Sequence, residues 1–243
     1  IDSIFASEIK NSMKQLSGIA LLCLLTFTAF AQDDSRPKQP DLPGDLMVDF
    51  GMNLWSENPE LLPAKLWGSE SIGLYYNHQQ RFNDHFAFHA SLGFTFDKYS
   101  FDGQYTWLRD GDGVISLDTL SGSSYLTKNK LAATYLELPV EFRWHPLGTV
   151  NGEGWFIGLG GMAGYRIGSH TKIKFQNVTD EYKEKLYADF GLEQFRYGVQ
   201  ARFGFKTFHV FYKYYFNNVF DGPVDDTGIV PQTSTIGINF SGF

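Results

Sequence analysis

From residue 45 onward, apolar and polar residues alternate in runs with a period of two. The sharpest run is 133–144. Its even positions are Thr134, Leu136, Leu138, Val140, Phe142 and Trp144; its odd positions are Ala133, Tyr135, Glu137, Pro139, Glu141 and Arg143. One face is apolar and the other carries three charges, as a two-faced β-strand requires. A helix would set Glu137 and Glu141 beside Leu138 and blur both faces. Residues 86–97, 195–205 and 208–217 repeat the pattern. Weaker versions occupy 46–55, 70–81, 154–166 and 233–243. Eight strands result, each of about 10 to 13 residues, where a tilted membrane strand needs about 9 to 11.

The connections alternate in length. Those at 82–85, 146–153 and 206–207 are short; those at 56–69, 98–130, 167–193 and 218–232 are long. Short turns at one end and long loops at the other characterise transmembrane β-barrels. A soluble β-sandwich or lipocalin-like barrel would also alternate, but its apolar face would mix sizes to fill an interior. Here one face is repeatedly Phe, Tyr, Leu, Val and Trp. The other combines Gly with Arg, Glu, Gln, His and Thr, which suits a narrow polar lumen. The expected fold is therefore all-β: an eight-stranded antiparallel up-and-down transmembrane β-barrel over residues 45–243. Pro139, which has no N–H for a ladder, should mark a bulge or local break.

Composition agrees. Aromatic residues make up 17% of the chain, with 23 Phe and 13 Tyr, yet mean hydropathy is slightly negative. The net charge of −7 argues against a nucleic-acid partner, which selects basic surfaces.

The N-terminal portion reads as a targeting segment. Residues 1–31 are upstream residues plus a cleavable signal peptide beginning at Met13: Lys14 is basic, Ile19 to Phe30 is apolar, and Ala29-Phe30-Ala31 is a small-x-small cleavage site before Gln32. Residues 32–44 are a polar, disordered leader. Cys23, the only cysteine, falls in the segment to be removed, and the Ala20-Leu21-Leu22 before it makes a poor lipidation signal. The expected location is the outer membrane of a Gram-negative bacterium. The expected partners are outer-membrane lipid and barrel-assembly machinery, the latter reading the terminal Ile238-Asn239-Phe240-Ser241-Gly242-Phe243. A protein partner would dock on the outer loops or the periplasmic face.

The strand Tyr135-Leu136-Glu137-Leu138-Pro139-Val140-Glu141-Phe142, the signal ending Phe30-Ala31-Gln32 and the eight strands together resemble the PorT-type outer-membrane β-barrel family. The resemblance covers about residues 45–243. It implies the barrel fold. That family is functionally mixed, and its named member assists a protein secretion system.

Candidate chemistry is sparse. Parity sends Asp49, Arg81, Asp97, Glu137, Glu141, Arg143, Arg166, Arg196, Arg202, Lys206 and Lys213 into the lumen. An eight-stranded interior is just wide enough to be filled by side chains, so Glu137 and Glu141 should pair with Arg143, Arg196 or Arg202 in a closed, plugged barrel. A narrow pore is the alternative. A hydrolytic carboxylate pair is disfavoured, since four strand residues separate Glu137 from Glu141 by about 13 Å. Asp110, Asp112 and Asp118 surround a glycine turn and are candidate calcium ligands; the competing reading is a solvated turn. Residues 180–190 have helix signals, with an Asp180 cap, a Glu181–Lys185 pair and Gly191 as terminator. No cofactor is implied, and no catalytic motif appears. The function expected is non-enzymatic: binding, structural or secretion-accessory.

Overall fold

A computed structural model describes residues 44–109, 115–119, 125–150, 153–176 and 181–242. The expected signal peptide and residues 32–43 of the expected leader lie outside them. The elements are β1 (Asp45–Trp55), β2 (Ala64–Lys65), β3 (Glu70–Arg81), β4 (Phe86–Phe101), β5 (Tyr105–Arg109), β6 (Ile115–Thr119), β7 (Tyr125–Thr149), β8 (Glu153–Gln176), β9 (Glu181–Tyr187), β10 (Phe195–Phe205), β11 (Phe208–Asn218) and β12 (Gln232–Ser241).

Eight of these pair in the order β10-β11-β12-β1-β3-β4-β7-β8, and β8 pairs with β10 to close the ring. Every pairing around it is antiparallel. Closure leaves no sheet edge in the ring, the condition under which strands can cross lipid.

The alternation fixes the faces. Leu138, Phe142, Leu159, Phe195 and Val210 are exposed on the outer wall, while Glu137, Glu141, Arg202 and His209 are buried inside. Aromatic pairs gather at two levels of the wall. Phe86 stacks on Trp144 and Trp155 on Phe203 near the short turns; Tyr165 meets Phe195 and Tyr197 meets Phe216 toward the long loops. These are the girdles of a transmembrane barrel. The 206–207 turn has two residues, and Lys206 takes φ +54° there.

Several expectations need correction. Strands β7 and β8 are 25 and 24 residues long, well beyond a membrane span. Much of 98–130 and 167–193 is therefore strand rather than loop, with β5–β6 a separate hairpin. Residues 181–187 form strand β9 against β8 instead of a helix. The free edge of β8 above the ring offers a full ladder, and Tyr182 stacks on Phe175. That pairing outweighs the weak local helix signals. At Pro139 the expectation holds in its second form, a local break without a bulge. The β4–β7 ladder keeps its register from Ala90–Val140 to Gly93–Glu137 but lacks the two pairs between, as a residue without an N–H dictates. Arg81 and Lys206 are exposed at the turn end rather than inside, because a strand's last residues pass the rim.

Candidate functional site

Among the described residues, the lumen is where the fold concentrates charged side chains. At its centre, Glu137 is fully buried. It forms ion pairs with Arg196 at 2.8 Å and Lys213 at 3.4 Å, and accepts hydrogen bonds from Tyr75 at 2.5 Å, Thr95 at 2.9 Å and Tyr215 at 3.0 Å. Arg196 also pairs with Asp97 at 2.5 Å and lies over the Tyr135 ring at 3.6 Å. Lys213 also pairs with Asp49 at 3.1 Å. Asp49 pairs in turn with Arg202 at 3.1 Å, and Arg202 with Glu141 at 3.1 Å. Arg143 pairs with Glu141 at 2.5 Å and sits over the Phe156 ring at 4.5 Å.

Asp49, Asp97, Glu137 and Glu141 thus meet Arg143, Arg196, Arg202 and Lys213, four anions against four cations in one connected network. Buried charge is costly unless paired and hydrogen-bonded, and this balance is what makes so polar an interior tolerable. Arg166, the remaining inward cation, turns to the rim. It pairs there with Asp189 and donates to the Leu192 carbonyl at 2.9 Å. The inward excess of cations expected from parity disappears once Arg81, Lys206 and Arg166 are placed.

Glycine makes room for these side chains. A Cβ on Gly158 would stand 2.4 Å from Glu141 Oε1, and one on Gly160 would stand 1.9 Å from the Val140 carbonyl oxygen. A void of about 20 Å³ borders Arg196 and Tyr215, room for about one water.

The long-loop end is closed differently. Leu62, Tyr99, Phe101, Trp107, Leu131, Tyr135, Phe190, Leu192, Val219 and Phe220 form a buried apolar cluster. Trp107 lies 5.7 Å from Phe190, 5.9 Å from Phe101 and 6.1 Å from Phe220 between ring centroids. Phe190 adopts φ +57° beside Gly191 at +65°, a tight reversal in the segment that carries its ring into the cap. Asp225 fastens the 56–69 loop by accepting from the Leu61 N–H at 3.1 Å. Lys65 and Asp102, paired at 2.9 Å outside the barrel, tie β2 to the β4–β5 turn. Sequence reasoning missed this cap. Most of its members are scattered over the 56–69, 98–130, 167–193 and 218–232 connections, with no period to link them.

At the short-turn end the lumen opens. A cavity of about 550 Å³ is bordered by Asn77, His89, Arg143, His145, Phe156 and Lys206.

Of the proposed calcium ligands, Asp110 and Asp112 lie outside the described residues. Asp118 stands in β6, where it accepts from the Thr119 N–H at 2.6 Å. Among the described residues, no group of three or more His, Cys, Asp or Glu is placed to hold a metal.

A family model described as the outer membrane protein beta-barrel domain matches residues 71–221. The chain belongs to this family. Its site of action is accordingly the outer membrane of a Gram-negative bacterium. No curated protein matches the chain. Among solved structures, it is similar to Ail, the attachment invasion locus protein of Yersinia pestis, with 13% identity, 83% of this chain and 100% of that one covered, and a TM-score of 0.34. It is also similar to the N-terminal β-barrel domain of Pseudomonas aeruginosa OprF, with 11% identity, 82% and 98% covered, and a TM-score of 0.27.

Proposed function

We propose that this protein is a non-conducting, non-enzymatic barrel that holds its long outward hairpins in place for binding or scaffolding. The observation that carries this reading is the double closure of the lumen: an ionic network through the centre and an aromatic cap over the long-loop end. A pore would need a continuous wet path. A hydrolase would need a carboxylate or nucleophile free to meet substrate, and Glu137 and Glu141 are each saturated by cations and donors. What rises above the lipid is instead a hydrogen-bonded platform of β7, β8 and β9 with the β5–β6 hairpin beside it. Within this reading, the likeness of Tyr135–Phe142 to PorT-type barrels supports a secretion-accessory role as the narrower form.

The test is complementation of a deletion strain. A chain lacking the β5–β6 hairpin should still form a barrel with heat-modifiable gel migration, yet fail to restore the missing phenotype. For the narrower role, that phenotype is loss of secreted proteins from the medium. Full rescue by the trimmed chain, or a deletion phenotype confined to uptake of small solutes, would overturn the reading.

A further inference from the structure

The paired charges of the lumen form a single line in which anion and cation alternate. It runs Asp97, Arg196, Glu137, Lys213, Asp49, Arg202, Glu141, Arg143. Arg196, Lys213 and Arg202 each meet two carboxylates. Arg143, the last member, meets one. At the opposite end Asp97 is supplemented by a hydrogen bond from Asn53 at 3.2 Å. The line is therefore finished at Asp97 and unfinished at Arg143.

The unfinished end borders the cavity of about 550 Å³ beside the short turns, the periplasmic end of such a barrel. Arg143 donates through Nε to Glu141 at 2.5 Å. Its Nη2 reaches the Met47 sulfur at 3.8 Å, a weak acceptor. Among the described residues, Nη1 has no hydrogen-bond partner. Nη1 and Nη2 make up the end-on edge of the guanidinium, which a planar carboxylate matches with two parallel bonds. The edge is held in place: Phe156 lies under the guanidinium at 4.5 Å. A Cβ on Gly204 would stand 2.8 Å from the Phe156 ring, so glycine there is what lets the ring take this position.

Two histidines line the same cavity. His89 and His145 are 4% and 5% exposed. Asn77 accepts from Ser91 through Oδ1 at 3.0 Å and turns its Nδ2 to His89 Nδ1 at 3.1 Å. Nδ1 then accepts, and Nε2 carries the ring proton. That Nε2 and the Nδ1 of His145 have no partner among the described residues. Buried polar atoms left in this state are costly. The wall thus offers a cation with an open edge and two imidazoles with unused nitrogens.

The rest of the lining narrows the ligand. Val150 and Phe156 are buried apolar groups on the cavity wall, which suits an organic body. Lys206 adds positive charge at the mouth, while Asp45 stands there too and opposes a second negative charge. The volume falls within the range of small-molecule sites.

We infer that this cavity binds a small organic monocarboxylate from the periplasm, with its carboxylate on the Nη1–Nη2 edge of Arg143 and its apolar body against Phe156 and Val150. The bound carboxylate supplies the anion that the alternating line lacks. The ion pairs above Arg143 bar the ligand from the centre, so the site is a blind pocket and not a stage of transport. It lies at the opposite end of the barrel from the outward hairpins and does not depend on what they bind.

The test uses the full barrel protein in a zwitterionic detergent, with protein-free micelles as background. Equilibrium dialysis against benzoate should show saturable binding of a single ligand per barrel, with a Kd in the millimolar range or tighter. Benzamide, the same body without the charge, should bind at least about tenfold more weakly. Inorganic phosphate should also bind more weakly than benzoate. In nitrogen-15 spectra of histidine-labelled protein, benzoate should shift the ring signals of His89 and His145. It should leave His170, in the β8 extension beside β9, unmoved. These comparisons need no variant. Arg143→Lys keeps the charge and loses the planar edge; it should bind benzoate at least about tenfold more weakly while gel migration stays heat-modifiable. Absence of saturable benzoate binding would overturn the inference. So would equal binding of benzamide, phosphate binding as tight as benzoate, shifts at His170 equal to those at His89 and His145, or undiminished binding by a heat-modifiable Arg143→Lys barrel.

Discussion

The centre of the lumen and its long-loop mouth are both closed, by opposite chemistries. In the centre the blocking groups are built round charges, and all of them but Arg143, which pairs with Glu141 on its own strand, meet a partner charge from a different strand; Arg202 alone joins β10 to Asp49 on β1 and to Glu141 on β7. At the mouth the blocking groups are rings, and Trp107, Phe190 and Phe220 arrive from segments that belong to no strand of the ring or lie just past its end. The first closure is part of the barrel's own framework. The second is laid over it. Removing a piece of the centre should therefore damage the whole barrel, whereas removing a piece of the mouth should loosen only the mouth.

Glu137→Ala should have the largest effect. It strips Arg196 and Lys213 of a shared buried partner, at a cost of about 3–5 kcal/mol. A urea titration in vesicles, followed by tryptophan fluorescence, reads this directly. A loss below about 1 kcal/mol, the range of exposed pairs, would mean the network is solvated. Leu138→Arg, one residue along, should cost about 2–4 kcal/mol through the lipid face and should reduce insertion. Glu137→Gln should still insert, since its side chain never meets lipid. If both substitutions block insertion alike, the inside and outside faces have been exchanged.

Trp107→Ala tests the other half of the comparison. It should shift the barrel transition by less than about 1 kcal/mol, because a local opening need not reach the cooperative core. It should sharply raise protease cleavage in the 56–69 and 218–232 connections. Joint loss of barrel and cap in one transition would show that the two closures are a single unit. The smallest effect is expected at Lys206→Gly. A residue free to take positive φ in the two-residue turn should stabilise by roughly a few tenths of a kcal/mol, visible as a small rise in the urea midpoint. A fall would show that the Lys206 side chain contributes more than its backbone strain costs.

These regions also differ in how far the sequence disclosed them. The spanning strands were legible because lipid outside and charge inside impose opposite demands on successive residues. Glu137 beside Leu138 is enough to set the register. The extensions were not legible, for a physical reason visible in β7. Below the rim its apolar residues face out, at Leu136 and Leu138. Above the rim they face in, at Leu131, while Lys130 and Lys128 face out. The apolar face changes sides with no break in the strand, so a search for one continuous apolar face stops at the rim. Strand β9 was hidden by local helix signals that the β8 edge overrides. Of the candidate site, the acidic pair and the arginines near it could be listed by parity. Which arginine meets which carboxylate depends on strands far apart in sequence, as with Arg196 reaching both Asp97 and Glu137, and no local pattern encodes that. The cap was least legible of all, since a tryptophan in a five-residue strand shows no run of alternation.

Ion conductance through purified wild-type protein in a planar bilayer tests the closed lumen most directly. The paired network and the aromatic cap predict no steady single-channel steps above the lipid baseline, for the wild type and for Trp107→Ala alike, because the centre stays plugged when the mouth is loosened. Stable, ion-selective steps from the wild-type barrel would contradict the account.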